Sequence, residues 1–143
     1  MSPSKSFASC VTNVSVVDCS AIAAVAFGEP AASAIRPQLA GRRLVAPALL
    51  AFELSQVCTT KIRGHPELRD VLLDQYVAAL DGLPIEFAPV GFEAIPQLAE
   101  RARLSAYDAT YLWLAIAHDA PLVTLDNKLA KTYQSLRDSK TRS

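Results

Sequence analysis

Apolar residues in this chain fall alternately into short unbroken runs and longer segments of helical period. Val14–Val17 is a β-branched run ending on Asp18, which predicts a strand buried on both faces. Ser20 can cap a helix over Ala21–Phe27, closed by Gly28. A second helix is expected from Glu29-Pro30 to near Gly41, with Pro37 kinking or shortening it. Arg43–Ala46 predicts the second strand, and Pro47 opens a helix over Ala48–Ile62 that Gly64 stops. Glu53 shares a face of that helix with Leu49, Leu50 and Val57, an acid where the pattern asks for an apolar residue.

Pro66–Leu80 has helical period, with Leu68, Val71, Leu72 and Val77 toward the core and Asp81-Gly82 at its end. Ile85–Val90 is the third expected strand. Phe92–Arg103 is a helix with Phe92, Ile95, Leu98, Ala99 and Ala102 inward. The next segment, from Leu104, is apolar on nearly every side between Tyr111 and Ala117, as suits a helix in the core. It breaks at Asp119–Pro121, resumes as a strand at Leu122–Thr124, and ends in a short helix, Lys128–Leu136. Alternating strands and helices define an α/β fold of three layers, α/β/α, with a central and mainly parallel sheet.

Composition narrows this picture. With 143 residues, 51% of them hydrophobic and 20% charged, the chain suits one compact domain. The expected boundaries are 14–136 for the domain, with a flexible extension at 1–13 and a polar tail at 137–143. No apolar run spans a bilayer, and the first residues lack the apolar core of a signal peptide. Three cysteines without paired spacing argue against a disulfide framework or a structural zinc site and fit a cytoplasmic protein. The formal net charge of zero lacks the basic excess of a nucleic-acid binder. Setting four candidate site acids aside, however, leaves 14 basic residues against 10 acids.

Those four are Asp18, Glu53, Asp108 and Asp126. In a parallel sheet, ligands bind beyond the carboxyl ends of the strands. Asp18 and Asp126 follow strands, and Glu53 and Asp108 lie early in helices, so all four can converge on that edge. Such a cluster is repulsive without a cation, and hard oxygen donors suit Mg²⁺ or Mn²⁺. An ion held there can activate water for phosphodiester hydrolysis. No glycine-rich loop bearing a lysine is present to cradle a nucleoside triphosphate.

Four stretches then carry a resemblance. Val16-Val-Asp18-Cys-Ser20-Ala, Pro47-Ala-Leu-Leu-Ala-Phe-Glu53-Leu, Leu104-Ser-Ala-Tyr-Asp108-Ala-Thr-Tyr-Leu and Leu122-Val-Thr124-Leu-Asp126-Asn-Lys-Leu resemble the successive motifs of the PIN-domain ribonucleases. More narrowly they resemble the VapC toxins of bacterial toxin–antitoxin pairs. The likeness runs from about Val14 to Leu136. It implies that Asp18, Glu53, Asp108 and Asp126 form the catalytic set and hold Mg²⁺, with Mn²⁺ as substitute. It implies that Ser20 and Thr124 orient those acids or the water. It further implies a structured RNA substrate such as tRNA or rRNA, a homodimer, and a neutralising antitoxin of the VapB type. Relatives often end in a further strand, which the polar residues from Lys131 do not offer.

Each residue also has a plainer reading. Asp18 can be a helix cap, Glu53 can pair with Arg101 or Arg103, Asp108 can complement a helix dipole, and Asp126 can belong to a surface turn. Cys19 reads as small buried filler rather than a nucleophile, and His65 and His118 as helix-end residues. Tyr111 and Trp113 read as core. The basic pairs Arg42/Arg43, Lys61/Arg63, Arg101/Arg103 and Lys128/Lys131 are RNA-phosphate contacts or solvated helix ends. Ala21–Phe27 and Ala48–Val57 are candidate docking surfaces for the antitoxin. Two other functions remain beside the nuclease: a non-catalytic module holding RNA or protein, and a phosphatase with Asp18 as nucleophile. The latter asks for a second acid where Ser20 stands.

Overall fold

A computed structural model describes residues 13–142. The extension expected at 1–13, with Cys10, lies almost wholly outside the described residues. Four strands form one parallel sheet in the order β3-β2-β1-β4: β1 is Val14–Val17, β2 Arg43–Ala46, β3 Ile85–Phe87 and β4 Leu122–Val123. The register pairs Val16 with Val45 on one side and with Leu122 on the other, so β1 is central and buried as its run of valines requires.

Side chains alternate across this sheet. Val17, Leu44, Ala46 and Val123 face a core built with α1 (Cys19–Ala26), α2 (Ala32–Leu39), α3 (Leu49–Gly64) and α4 (Arg69–Gly82). Val16 and Val45 face the other way, against α6 (Ala106–Ala117) and α7 (Asn127–Arg142). The short α5 (Ile95–Ala102) packs outside α6 through Ile95, Ala99 and Ala109. The three layers expected from the sequence are therefore present. Leu112 and Leu114 of α6 are fully buried, as its all-round apolar pattern asks.

Four departures have local causes. In α4 the inward face is Leu72, Tyr76 and Ala79, one strip at i, i+4, i+7, while Leu68, Val71 and Val77 are exposed. Leu72 is inward as expected; Leu68 belongs to a separate 3₁₀ turn before α4 begins, and Val71 and Val77 each lie one residue, about 100°, off that strip. Phe92 is outside, 73% exposed, because Phe92–Ala94 is a 3₁₀ turn, with about three residues per turn in place of about 3.6. Strand β3 stops at Phe87 rather than Val90: Ala88 N–H makes the last bond to Ala46 C=O at 2.9 Å, and Pro89 has no N–H to offer. Helix α7 runs sixteen residues to Arg142 rather than ending at Leu136, with side-chain bonds four apart from Gln134 to Asp138 and from Arg137 to Tyr133. Among the described residues no fifth strand follows it.

Replacing Leu112 with alanine leaves a cavity between β1 and α6 and costs about 2–5 kcal/mol in urea denaturation. Val71→Ala, on the exposed face of α4, stays within about 0.5 kcal/mol.

Candidate metal centre

At the carboxyl end of β1 the chain turns directly into α1, and Asp18 is the residue between them. Its backbone N–H still donates to Val123 C=O at 3.1 Å, so the strand pairing with β4 fixes its position. Its carboxylate is buried and accepts from three donors. Oδ1 accepts from the Ser20 hydroxyl at 2.7 Å and from the Ala21 N–H at 3.1 Å; Oδ2 accepts from the Thr124 hydroxyl at 2.5 Å. Asp18 is thus the cap of α1 and also a fixed acid at the sheet edge. Ser20 Oγ in turn accepts from Leu125 N–H at 2.9 Å, and Thr124 Oγ1 from Asp126 N–H at 3.0 Å. The two hydroxyls therefore tie the end of β1 to the segment after β4.

That segment carries Asp126, whose Oδ1 accepts from the Lys128 and Leu129 N–H groups at 2.9 and 3.1 Å and caps α7. Glu53, one turn into α3, is half-buried and accepts from the Tyr111 phenol at 2.6 Å. It has no arginine partner among the described residues; Tyr111 takes the place expected for Arg101 or Arg103. Tyr111 is core, as expected, but its hydroxyl also holds Glu53, a role the sequence reading missed. The signal for it was a phenol in a wholly apolar helix, which needs a partner when buried. Asp108 sits in the first turn of α6, where its N–H donates to the capping Ser105 hydroxyl at 3.1 Å.

The four acids share one electrostatic field. Asp18 is raised above the ordinary carboxylate range by burial, against the pull of its hydrogen bonds, with Asp126 adding repulsion. Glu53 is raised by burial and by Asp108 and Asp18, against the Tyr111 bond, and Asp108 by burial and by Asp126 and Asp18. Lys128 opposes the rise at Asp108, and its Nζ is anchored on the Arg103 carbonyl at 2.6 Å. Arg103 lies at the α5–α6 turn in the left-handed region, φ 57°. The Cys19 thiol is pushed up to about 12 by burial and then by Glu53 and Asp18, so it stays protonated and is no nucleophile. His65 and His118 close α3 and α6 through backbone bonds to Lys61 and Leu114.

Two basic residues do not join this edge. Arg42 and Arg43 lie at the amino end of the sheet. Arg42 donates to Ser15 Oγ and Val14 C=O, and Arg43 pairs with Glu86 at 2.7 Å. The expectation that they rim the acids is corrected: both lie at the start of β2, and in a parallel sheet that places them opposite the strand ends where Asp18 lies. Lys61 is engaged by Glu29 at 3.0 Å and stacks over Phe27. Arg101 lines a cleft between α5 and α7 with Thr132 and Ser135.

Among the described residues no three acids stand close enough together to enclose an ion. The donor set nevertheless fits Mg²⁺, which takes one or two carboxylates, keeps several waters, and reaches other acids through them. Mutually repelling acids tempered by one lysine have the charge for it.

A parallel sheet with helices on both faces and a cluster of acids beyond its strand ends is the architecture of a metal-dependent nuclease fold. The family model described as the PIN domain matches residues 15–134, and the chain belongs to that family. PIN domains are in general nucleases that use Mg²⁺ or Mn²⁺ and bind RNA. The fold is similar to the crystal structure of PAE2754 from Pyrobaculum aerophilum, with a TM-score of 0.66 and 19% identity, covering 92% of this chain and 99% of that one. At that identity the likeness speaks to the fold. No curated protein matches the chain. Among the described residues no helix is long and apolar enough to cross a membrane.

The raised acids set the sign of a pH effect. A carboxylate whose folded pKa lies above its unfolded value binds more protons when folded, so stability falls as pH rises between the two values. In EDTA, the thermal midpoint therefore carries a component that declines as pH rises from the ordinary carboxylate range through the raised values. Asp108→Asn removes part of it and raises the midpoint at neutral pH. Scanning calorimetry across pH, with and without Mg²⁺, checks this; Mg²⁺ narrows the difference between the two proteins.

Proposed function

We propose that this protein is a Mg²⁺-dependent endoribonuclease of the VapC kind, the toxin of a toxin–antitoxin pair in the cytoplasm, acting on structured RNA such as tRNA or rRNA. The observation that carries this reading is the fixed Asp18 carboxylate, clamped by Ser20, Thr124 and the α1 N-terminus, in one field with Glu53, Asp108 and Asp126. A divalent ion bound there supplies an activated water and polarises a phosphoryl oxygen.

The residues divide the remaining work. Asp18 presents its carboxylate in one orientation because three donors hold it. Tyr111 keeps Glu53 turned to the same edge, and Asp126 is held by the α7 N-terminus that it caps. Asp108 completes the set from the first turn of α6, with Lys128 beside it as a fixed positive charge able to meet a phosphate. Arg101 and Arg103, both exposed near the α5–α6 turn, are further phosphate contacts in this reading. A phosphatase using Asp18 as nucleophile is disfavoured, because Ser20 stands where that chemistry asks for a second acid.

The proposed cellular setting includes a homodimer and a VapB-type antitoxin. Of the two docking surfaces expected from sequence, Ala21–Phe27 contributes little: Ala21, Ile22, Ala23 and Ala24 are core. The α3 surface keeps one large exposed ring, Phe52, next to Glu53.

The test is cleavage of purified tRNA and rRNA by antitoxin-free protein in Mg²⁺, Mn²⁺ or EDTA. Discrete fragments that require metal and vanish in Asp108→Asn are the expected result. Thr124→Val, which strips one donor from Asp18, lowers activity by about 10- to 100-fold. Binding of RNA without cleavage, by folded and metal-supplied protein, would instead leave a non-catalytic PIN module.

A further inference from the structure

An apolar cavity of about 470 Å³ adjoins the acidic edge, lined by Pro47, Leu49, Phe92, Ile95, Tyr107 and Thr110 among others. Its position follows from the chain. Pro47 directly follows β2 at the carboxyl end of the sheet, Leu49 lies one helical turn before Glu53, and Tyr107 immediately precedes Asp108. Two of its aromatic rings are open to solvent: Phe92 is 73% and Tyr107 63% exposed. Large exposed rings on a shared cavity wall differ from the scattered single exposures of an ordinary surface.

The wall is also fixed from beneath. A Cβ at Gly91 would come within 2.8 Å of the Trp113 ring, so the segment carrying Phe92 rests directly on that indole. Among the described residues no charged side chain lines the cavity. The Thr110 hydroxyl is engaged by the Ala106 carbonyl at 2.8 Å, so it offers the interior no free donor. The cavity therefore presents ring faces and hydrocarbon, which suit a flat aromatic ligand and reject a phosphate. The acids beside it, with a divalent ion, have the opposite preference.

We propose that this cavity is a base-stacking subsite that takes one unpaired nucleobase next to the phosphate cleaved at the acidic centre, a reading that rests on the nuclease function above. Tyr107 and Phe92 supply the stacking faces. A base inside a duplex has both faces covered, so the subsite selects loops, bulges and single strands. Because every base has a π-face and the lining offers little hydrogen bonding, the subsite selects for unpaired state rather than for base identity.

The test measures affinity in Mg²⁺ on the Asp108→Asn background. The ligands are an RNA hairpin, the same hairpin with its loop made abasic one nucleotide at a time, and a fully paired duplex. One abasic position is expected to weaken binding by about tenfold or more. Phe92→Ala combined with Tyr107→Ala is expected to cost the same on the intact hairpin and nothing further on that abasic one, while Tyr107→Phe retains affinity. Circular dichroism establishes that each variant is folded, which their exposure favours. Additive losses, or no loss at any abasic position, would overturn the subsite. So would a dimer that Phe92→Ala splits with RNA affinity unchanged, which assigns the cavity to contact between copies. If the wild type cleaves no RNA but the non-additive pattern is present, the nuclease reading fails and the subsite stands. If cleavage requires metal while the Phe92→Ala, Tyr107→Ala double variant binds RNA undiminished on the Asp108→Asn background and, with Asp108 intact, cuts it as the wild type does, the subsite fails and the nuclease stands.

Discussion

The hydrogen bonds that hold the Asp18 carboxylate tie the end of β1, the start of α1 and the segment after β4 into one unit. A buried carboxylate without donors is strongly unfavourable, and here three donors come from two separated pieces of chain: Ser20 and Ala21 of α1, and Thr124 beyond β4. The same contacts cap a helix, join the ends of β1 and β4, and set an acid at the mouth of the sheet. Their net effect still leaves Asp18 above the ordinary carboxylate range, because burial outweighs the donors. The fold thus holds an acid that is oriented and incompletely compensated. That combination lets a site take up a cation when one is offered.

The neutral total charge of the chain hides a division between the two ends of the sheet. At the amino end, Arg42 bonds to Ser15 and Val14, and Arg43 to Glu86, so those cations are matched within the protein. At the carboxyl end, four acids share one field with Lys128 as the nearby opposing charge. A net charge of zero is therefore no measure of what a polyanion would meet there. A divalent cation held among those acids would reverse the local sign.

The sequence disclosed the sheet because its strands are short apolar runs, each closed by a residue of another character, Asp18 after β1 and Pro47 after β2. It disclosed the four acids because each interrupts an apolar pattern at the carboxyl side of a strand or the start of a helix. What it concealed was phase. Pro66–Leu68 and Phe92–Ala94 read as first helical turns but are 3₁₀ turns, and Leu68 and Phe92, expected inward, are exposed there. Val71 is outside because it lies one residue, about 100°, off the strip that Leu72 begins. The placement of Arg42 and Arg43 was legible and was misread, since residues at the start of a parallel strand lie at the amino end of the sheet. The Tyr111–Glu53 bond was not legible, because it joins helices on opposite faces of the sheet that meet only beyond its edge.

The absence of a closed acid cage among the described residues is consistent with this division of labour. Asp18 is fixed by protein donors, Glu53 by a phenol, and Asp126 by a helix terminus, so each is oriented by something other than its neighbours. Acids positioned independently in this way need not collapse onto one another before a cation arrives, and their mutual repulsion keeps them apart. Mg²⁺ dehydrates reluctantly and tolerates water between itself and a carboxylate. Separately held acids therefore suit an ion that keeps part of its water better than a tight cage would.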